Sequence, residues 1–322
     1  MSQPDASSPV VSVIVVSYNT RCLLARCLDS LDASAAPPAI EVLVVDNASA
    51  DGSAEMVAAE YPEATLLEPG ENLGFARANN LAAESARGEH LLLLNSDAAV
   101  DPSTVGALAR FLEEHPAAGV VAPRLANPDG THQPSARAFP CALNLFLEAT
   151  GLERLLGRTT HGHFRGDETR PVEYVSGAAL MIRRSLWREL GGFDEGFFFY
   201  GEDADLCRRA LERGAETWYL HSAGALHEGG ASTAALRTNA AIEGYRAALL
   251  FIRKHGSAGT VAWARLWILL GATLRAVASA LPAALSPSWR ARLQTYLAVA
   301  RLALSANPYP IGRFGWPEDD AR

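Results

Sequence analysis

The chain has 322 residues, is 49% hydrophobic and 20% charged, and carries a formal net charge of −8. That is ordinary globular composition, long enough for one large domain or one domain with an appendage, and no repeat or low-complexity tract interrupts it. Four scattered cysteines (Cys22, Cys27, Cys141, Cys207) show neither a CxxC nor a zinc spacing, which points to reduced thiols in a cytosolic setting.

Charge is unevenly spread. From Gly244 to Pro317 there are nine Lys or Arg and no Asp or Glu, whereas residues 1–243 hold 18 basic and 33 acidic residues. An acidic body with a cationic, apolar last third points to an anionic surface such as a membrane leaflet, or to a partner chain. No nucleic-acid partner is expected, and oligomeric state is left open.

The polar N-terminus lacks a basic region, and the apolar run from Val10 to Val16 is too short for an export signal or a membrane span, so neither is expected. Val10–Val16 is β-branched and reads as a strand, ended by Ser17-Tyr18-Asn19-Thr20 and followed by a helix over 21–33. Ile40–Val45 is a second strand, ending in Asp46-Asn47-Ala48-Ser49, with a helix to about Tyr61. A short strand at Ala64–Leu67 precedes Asn72-Leu73-Gly74-Phe75-Ala76-Arg77, which opens a helix to about Arg87. Leu91–Leu94 reads as a strand buried on both faces, and Asn95, Ser96 and Asp97 follow at once. Asp101-Pro102 reads as the cap of a helix over 102–114, before a strand at 119–123. This alternation predicts a parallel sheet with right-handed crossovers.

From Arg124 to Pro171 periodicity fades, and the stretch reads as an irregular excursion shaping a cleft. A strand over 174–182, a short helix ending at Gly191-Gly192 and an aromatic loop from Phe193 to Gly201 follow. Glu202–Arg213 is a helix, 216–220 a strand, and His227 opens a glycine-rich loop. Beyond Thr233 the pattern is helical, at about 234–255, 258–281 and 287–305. The apolar run between Arg265 and Arg275 is nine residues long. At ~1.5 Å per residue it extends ~14 Å, short of a ~30 Å bilayer core, so an interfacial or packed helix is expected rather than a spanning one.

Four polar clusters fall at strand ends or helix starts, where open α/β sheets bind ligands. Asp46 suits a nucleotide's imide or ribose, or else an Asx turn. The segment around Gly74 and Arg77 suits an anion at a helix start. Asp97 suits a hard divalent cation shared with phosphates. Glu202, Asp203 and Asp205 are three carboxylates in four positions, more than capping needs, and offer a general base. His227 suits Mn²⁺ better than Mg²⁺, or is simply a loop histidine. No GxxxxGK[ST] occurs anywhere and no GxGxxG follows the first strand, which argues against P-loop and dinucleotide folds.

In this order and spacing, across about residues 10–232, the pieces resemble glycosyltransferase family 2 on a GT-A fold, and within it the bacterial rhamnosyltransferase-like branch. They are Ser12-Val13-Ile14-Val15-Val16-Ser17-Tyr18-Asn19, Val44–Ser49, Asn72–Asn80, Leu92–Asp97, Ser176-Gly177-Ala178, Gly191–Glu195, Phe198–Arg209 and His227. The resemblance implies an α/β fold with a mostly parallel central sheet flanked by helices and a C-terminal helical extension. It implies a disordered N-terminus at 1–9 and a catalytic domain at 10–233, followed by the cationic helical extension at 234–322. The catalytic domain divides into a nucleotide-sugar half, 10–123, and an acceptor half, 124–233.

It also implies roles. Ser17, Tyr18, Asp46 and Asn80 would line the base and ribose, with Asn19, Asn47, Asn72, Gly74, Arg77, Asn95, Ser96 and Gly177 completing the nucleotide-sugar site. Asp97 would hold Mg²⁺ or Mn²⁺ on the diphosphate, His227 would be a further metal or diphosphate contact, Asp203 the general base, and Glu202 a positioning acid. Asn95 stands where the DxD-type motif has its first Asp, as is common in that branch, and leaves fewer charged ligands. The expected activity is inverting, metal-dependent transfer of a sugar, rhamnose from dTDP-rhamnose being the best guess. The acceptor would be a glycan or lipid-linked, in cell-surface polysaccharide synthesis, in the cytoplasm or peripherally at the inner membrane face. A non-catalytic, membrane-associated scaffold that binds nucleotide sugar is the alternative, which the intact Glu202-Asp203 and Asp97 argue against. A nucleotidyltransferase would need a glycine-rich N-terminal signature with an Arg and a Lys, which is missing.

Overall fold

The computed structural model describes residues 10–32, 39–152, 166–197, 199–229 and 237–305. The expected disorder at 1–9, part of the 124–171 excursion and the loop after Gly229 lie outside them. So do Phe198, the helix start at 234–236 and the last residues from 306.

Strands β1 (Val11–Ser17), β2 (Ile40–Asp46), β3 (Thr65–Leu67) and β4 (His90–Asn95) alternate with helices α1 (Arg21–Asp32), α2 (Ser53–Glu60) and α3 (Gly74–Ser85). All their pairings are parallel, in the order β3-β2-β1-β4. The four leucines of β4 are fully buried because the strand is covered on both faces. Their alternation decides which core each joins: Leu92 and Leu94 enter the core on one face, Leu91 and Leu93 the core on the other.

The second half departs from the parallel expectation. After β5 (Ala98–Val100), α4 (Thr104–Glu114) and β6 (Ala118–Ala126), the chain makes β7 (His132–Gln133), β8 (Ala136–Arg137), α5 (Ala142–Thr150) and β9 (Arg170–Val172). Among the described residues, the excursion therefore contains a regular helix, α5. Helix α4 begins after Ser103, so Asp101 is not its cap residue. The strand expected at 174–182 is split into β10 (Tyr174–Val175) and β11 (Ala179–Arg183), and β11 runs antiparallel to both β4 and β6.

Helices α6 (Arg184–Leu190) and α7 (Glu202–Glu212) lead to β12 (Glu216–His227), which is seven residues longer than expected and shifts register between Leu220 and Gly224. The sheet closes in the order β4-β11-β6-β12-β5. Three helices follow: α8 (Arg237–His255), α9 (Ala258–Leu285) and α10 (Pro287–Leu304). A third core joins them to the body through Leu145 of α5, Phe197 and Ala204. Helix α9 runs past Arg275 and is long and apolar enough, by length and composition, to cross a membrane.

Candidate active site

The carboxyl ends of β1, β2 and β4 open onto a cleft of about 330 Å³ whose far wall is the start of α7. Eleven of the residues expected at the site line it: Tyr18, Asn47, Asn72, Gly74, Asn95 and Ser96 on one side, with Asp97, Gly177, Glu202, Asp203 and His227.

Strand pairing brings Asp97 and His227 together. His227 is the last residue of β12, not a loop residue, and its antiparallel register places it opposite Ala98. The Glu228 N–H then donates to the Asp97 carbonyl at 3.0 Å. His227 Nε2 lies 3.2 Å from Asp97 Oδ1 and 3.3 Å from Asn95 Nδ2. Gln133 fixes the ring: its Nε2 donates to Asn127 Oδ1 at 2.8 Å and to the His227 carbonyl at 3.2 Å, leaving Oε1 as acceptor, 2.7 Å from His227 Nδ1. His227 therefore donates from Nδ1, and in the neutral tautomer its Nε2 lone pair faces a carboxylate oxygen. A proton or a cation relieves that opposition. One carboxylate, one imidazole and the neighbouring Asn95 amide fit a divalent ion that takes its remaining ligands from phosphate. Among the described residues no group of three or more His, Cys, Asp or Glu forms a closed metal cage.

The other end of the cleft is acidic. The interruption between β10 and β11 turns the Gly177 N–H toward Asp203 Oδ2 at 3.1 Å, and the Ala204 N–H donates to Oδ1 at 2.7 Å. Burial raises the Asp203 carboxyl above the usual range, while these two amides and the Arg137 guanidinium pull it back. Glu202 is pushed well above the usual range, by burial first and the Asp203 charge second. Its buried Oε2 has no hydrogen-bond partner. Two adjacent carboxyls do not both ionise readily; the two amide donors favour charge on Asp203, and burial together with that charge disfavours it on Glu202. The third acid faces away: fully buried Asp205 accepts from Arg209 Nε at 2.7 Å, His255 Nε2 at 2.8 Å and Lys254 Nζ at 2.8 Å. Asp205 thus locks α7 to α8 and supplies no base.

Five expected residues do not line the cleft. Ser17 lies beneath it, its hydroxyl 3.0 Å from that of Thr20, which is 2.8 Å from Ser96. Asn19 braces the turn after β2, accepting from the Ala50 N–H at 2.7 Å. Arg77 is exposed and 3.8 Å from Glu195. Asn80 is an inter-segment clamp: it exchanges two hydrogen bonds with the Phe193 backbone, at 2.9 and 3.0 Å. Asp46 makes the Asx turn, accepting from the Ser49 N–H at 2.9 Å through Oδ2, yet its buried Oδ1 has no partner. That orphan acceptor suits a donor such as a pyrimidine imide. Asn47 holds the next loop, accepting from the Leu73 N–H at 3.0 Å and donating to the Gly74 carbonyl at 3.1 Å. Gly74 has φ of 76°, which a side chain would strain.

Gln133 and Arg137 were not singled out from sequence. Both line the cleft from the excursion, where no periodicity marks them. Arg137 has a buried Nε without a partner, beside Asp203 and Tyr174.

A parallel half-sheet feeding a polar cleft, with a carboxylate–imidazole pair at one end and an acidic helix start at the other, is an arrangement of the GT-A class. The family model for glycosyl transferase family 2 matches residues 12–191, and the chain belongs to that family. It is 33% identical over 244 residues to an N-acetylglucosaminyl-diphospho-decaprenol L-rhamnosyltransferase of Mycobacterium tuberculosis, covering 70% of this chain and 78% of the relative. It is 31% identical over 227 residues to the O-antigen biosynthesis protein RfbC of Myxococcus xanthus, covering 68% of this chain and 18% of that one. A mannosyltransferase from Pyrobaculum calidifontis, solved with GDP-Man and Mn²⁺, shares the fold with a TM-score of 0.59 at 19% identity, over 93% of this chain and 88% of the other. The chain is a glycosyltransferase with a rhamnosyltransferase-like sequence.

Proposed function

We propose that this enzyme transfers rhamnose from dTDP-rhamnose, with inversion, to a lipid-linked glycan acceptor in cell-surface polysaccharide synthesis, working at the inner face of the membrane. The sugar and the acceptor class are taken from the mycobacterial relative, whose name gives an L-rhamnosyl transfer onto N-acetylglucosaminyl-diphospho-decaprenol.

The mechanism rests chiefly on one observation: at the cleft Asp203 accepts from two backbone amides, while the adjacent buried Glu202 leaves Oε2 without a partner and is pushed toward its neutral form by burial and the Asp203 charge. Asp203 accepts the proton of the acceptor hydroxyl as that oxygen attacks the anomeric carbon, and the donor's nucleoside diphosphate leaves. With Asp203 serving as base and Glu202 held toward its neutral form, no second carboxylate is there to act as nucleophile in a double displacement, and direct displacement inverts the centre. The Gly177 and Ala204 amides hold Asp203 in place throughout. Asp97 and His227 would hold Mg²⁺ or Mn²⁺, which supplies positive charge to the departing diphosphate. Asn47, Asn72 and Gly74 shape the donor wall, and Asp46 Oδ1 accepts from the base.

A donor panel tests the reading, with each sugar nucleotide incubated with enzyme and Mg²⁺ or Mn²⁺ and released nucleoside diphosphate measured. dTDP-rhamnose is expected to be hydrolysed fastest. Preference for another sugar removes rhamnose, and turnover undiminished by chelation removes the cation. Proton NMR of the product anomer decides between inversion and retention.

A further inference from the structure

Helix α9 is built inside out. From Trp263, the large residues that α9 leaves exposed step by three or four through Leu266, Leu270 and Leu274. Val277, Leu281 and Leu285 continue the stripe and are 70%, 85% and 89% exposed. At 100° per residue these positions fall within an arc of roughly 100°, and at ~1.5 Å per residue they run ~33 Å. The opposite face is made of small residues: six of the seven buried positions of α9 are Ala, Gly or Ser. Gly271 shows why, because a Cβ there would come within 3.0 Å of Ala149 on α5. A water-soluble helix normally buries its Leu and exposes its small or polar residues. Here close backbone packing uses up the small face and leaves the large apolar one unpartnered, the arrangement helices adopt when lipid covers their outer side.

Charge says what covers it. The stripe ends at Trp289, also exposed, with the Arg292 guanidinium 4.9 Å above its ring. Arg290, Arg292 and Arg301 are exposed, and no acid occurs between Gly244 and Pro317. A second copy docked by this face would bring like charge against like charge. A soluble protein partner would need an acidic rim around an apolar centre, whereas an anionic phospholipid surface supplies both over the whole ~33 Å length. Spanning is disfavoured by two tethers: Arg265 donates to the Ala303 carbonyl at 2.8 Å and Arg275 to the Glu148 carbonyl at 2.8 Å, so α9 does not leave α10 and α5.

We propose that the outward face of α9, with Trp289, Arg290 and Arg292 at the start of α10, docks onto an anionic phospholipid bilayer and lies in the plane of its headgroups. The inference deepens the proposed reading by naming how the enzyme meets a membrane-held acceptor, and it rests on that reading only for the acceptor. Leu281 and Leu285 would bury their side chains in the acyl boundary, Trp289 would sit at headgroup level, and the arginines would pair with phosphate.

The test is co-sedimentation of the full chain with vesicles of one part phosphatidylglycerol to three parts phosphatidylcholine, and with phosphatidylcholine alone. Binding to the anionic vesicles, weakened by salt, is expected. The double variant Leu281→Gln/Leu285→Gln should bind about tenfold more weakly or worse. Both side chains are exposed, so its thermal unfolding and donor hydrolysis should match the parent. The double variant Arg290→Gln/Arg292→Gln should lose the preference for phosphatidylglycerol. Four outcomes overturn the proposal: no vesicle binding by the parent, equal binding by the leucine variant, membrane material that resists alkaline carbonate, or a dimer that the leucine variant dissociates. Each leaves donor hydrolysis standing, so failure here is distinct from failure of the glycosyltransferase reading.

Discussion

The two walls of the cleft are made differently. The wall that faces the donor is a run of parallel strands whose loops are braced by their own hydrogen bonds, with the buried Asp46 Oδ1 at the end of β2 as an exception. Asn47 clasps Leu73 and Gly74, Asn72 accepts from the Gly74 N–H at 2.9 Å, and Ser17, Thr20 and Ser96 form a hydroxyl chain. The wall that faces the acceptor is a helix start held against a broken antiparallel strand, with the buried Glu202 Oε2 and the Arg137 Nε left without partners. Satisfied polar groups preorganise a site for a ligand of fixed shape. Unsatisfied ones are kept for a group that arrives during the reaction. The contrast extends along one helix: Asp203 and Asp205 lie two residues apart on α7, yet one meets two backbone amides at the cleft and the other, fully buried, meets Arg209, Lys254 and His255 behind it.

The largest expected effect is at Asp203. Asp203→Asn keeps the shape and the Gly177 contact but removes the basic oxygen, so kcat should fall by about 10²–10⁴, with donor affinity, measured by calorimetry, little changed. A variant that keeps more than a tenth of the parent turnover sinks Asp203 as base. Asp205→Ala should act through stability instead. It leaves Arg209, Lys254 and His255 facing one another without their anion, and breaking a buried pair costs roughly 3 kcal/mol or more. A Tm lower by roughly 5–10 °C is expected by calorimetry, and an unchanged Tm would show that the cluster holds nothing together.

These differences explain what sequence made legible. The donor wall was readable because each parallel strand is an apolar run that ends abruptly in polar residues, as at Leu94-Asn95 and Val45-Asp46. The acceptor wall was readable at Glu202-Asp203, where acids crowd a helix start, and at Gly177 only through the family resemblance. The break at Ser176-Gly177-Ala178 looked like continuous strand, because residues on either side are apolar and nothing local announces that one backbone amide turns toward a carboxylate 26 residues away. Gln133 and Arg137 sit on two-residue strands, too short to carry a period. The likeness in position between Asp203 and Asp205 concealed opposite surroundings, which depend on His255 and Lys254 some fifty residues on. Asn80 and Arg77 were expected in the cleft because they share a motif with Gly74. One helical turn carries Asn80 round to the Phe193 loop instead.

A smaller effect should come from Gln133, which touches the metal end only through His227. Gln133→Ala frees the ring to rotate and removes the acceptor that sets its tautomer. Partners of this kind usually change metal affinity by about 10–100-fold. The Mn²⁺ concentration for half-maximal donor hydrolysis should rise by that factor while turnover at saturating metal is nearly kept. An unaltered metal titration would mean that the ring needs no such support.

The smallest effect on rate, and the sharpest probe of the acceptor wall, is Glu202→Gln. A protonated carboxyl and an amide are nearly isosteric, so if Glu202 is neutral in the working enzyme the substitution should alter kcat by less than about tenfold. An ionised Glu202 acting as a second base would instead give a loss comparable to that of Asp203→Asn. Stability supplies an independent reading of the same proton. Both Glu202 and Asp203 have folded-state pKa values above their ordinary 4.5 and 3.8, so the folded protein holds protons that the unfolded chain releases. Stability from these two groups is therefore full below about pH 4 and is lost as pH rises through the folded values. Glu202→Gln removes its share of that loss. The variant should be indistinguishable from the parent in acid and increasingly more stable than it as pH rises, when denaturant midpoints are compared across the range. The activity limb behaves oppositely, because Asp203 must be ionised to accept a proton: kcat/KM should rise with pH through the raised Asp203 value in parent and variant alike. A stability difference independent of pH would mean that Glu202 has the same pKa folded and unfolded, and would return the two carboxyls to equal footing.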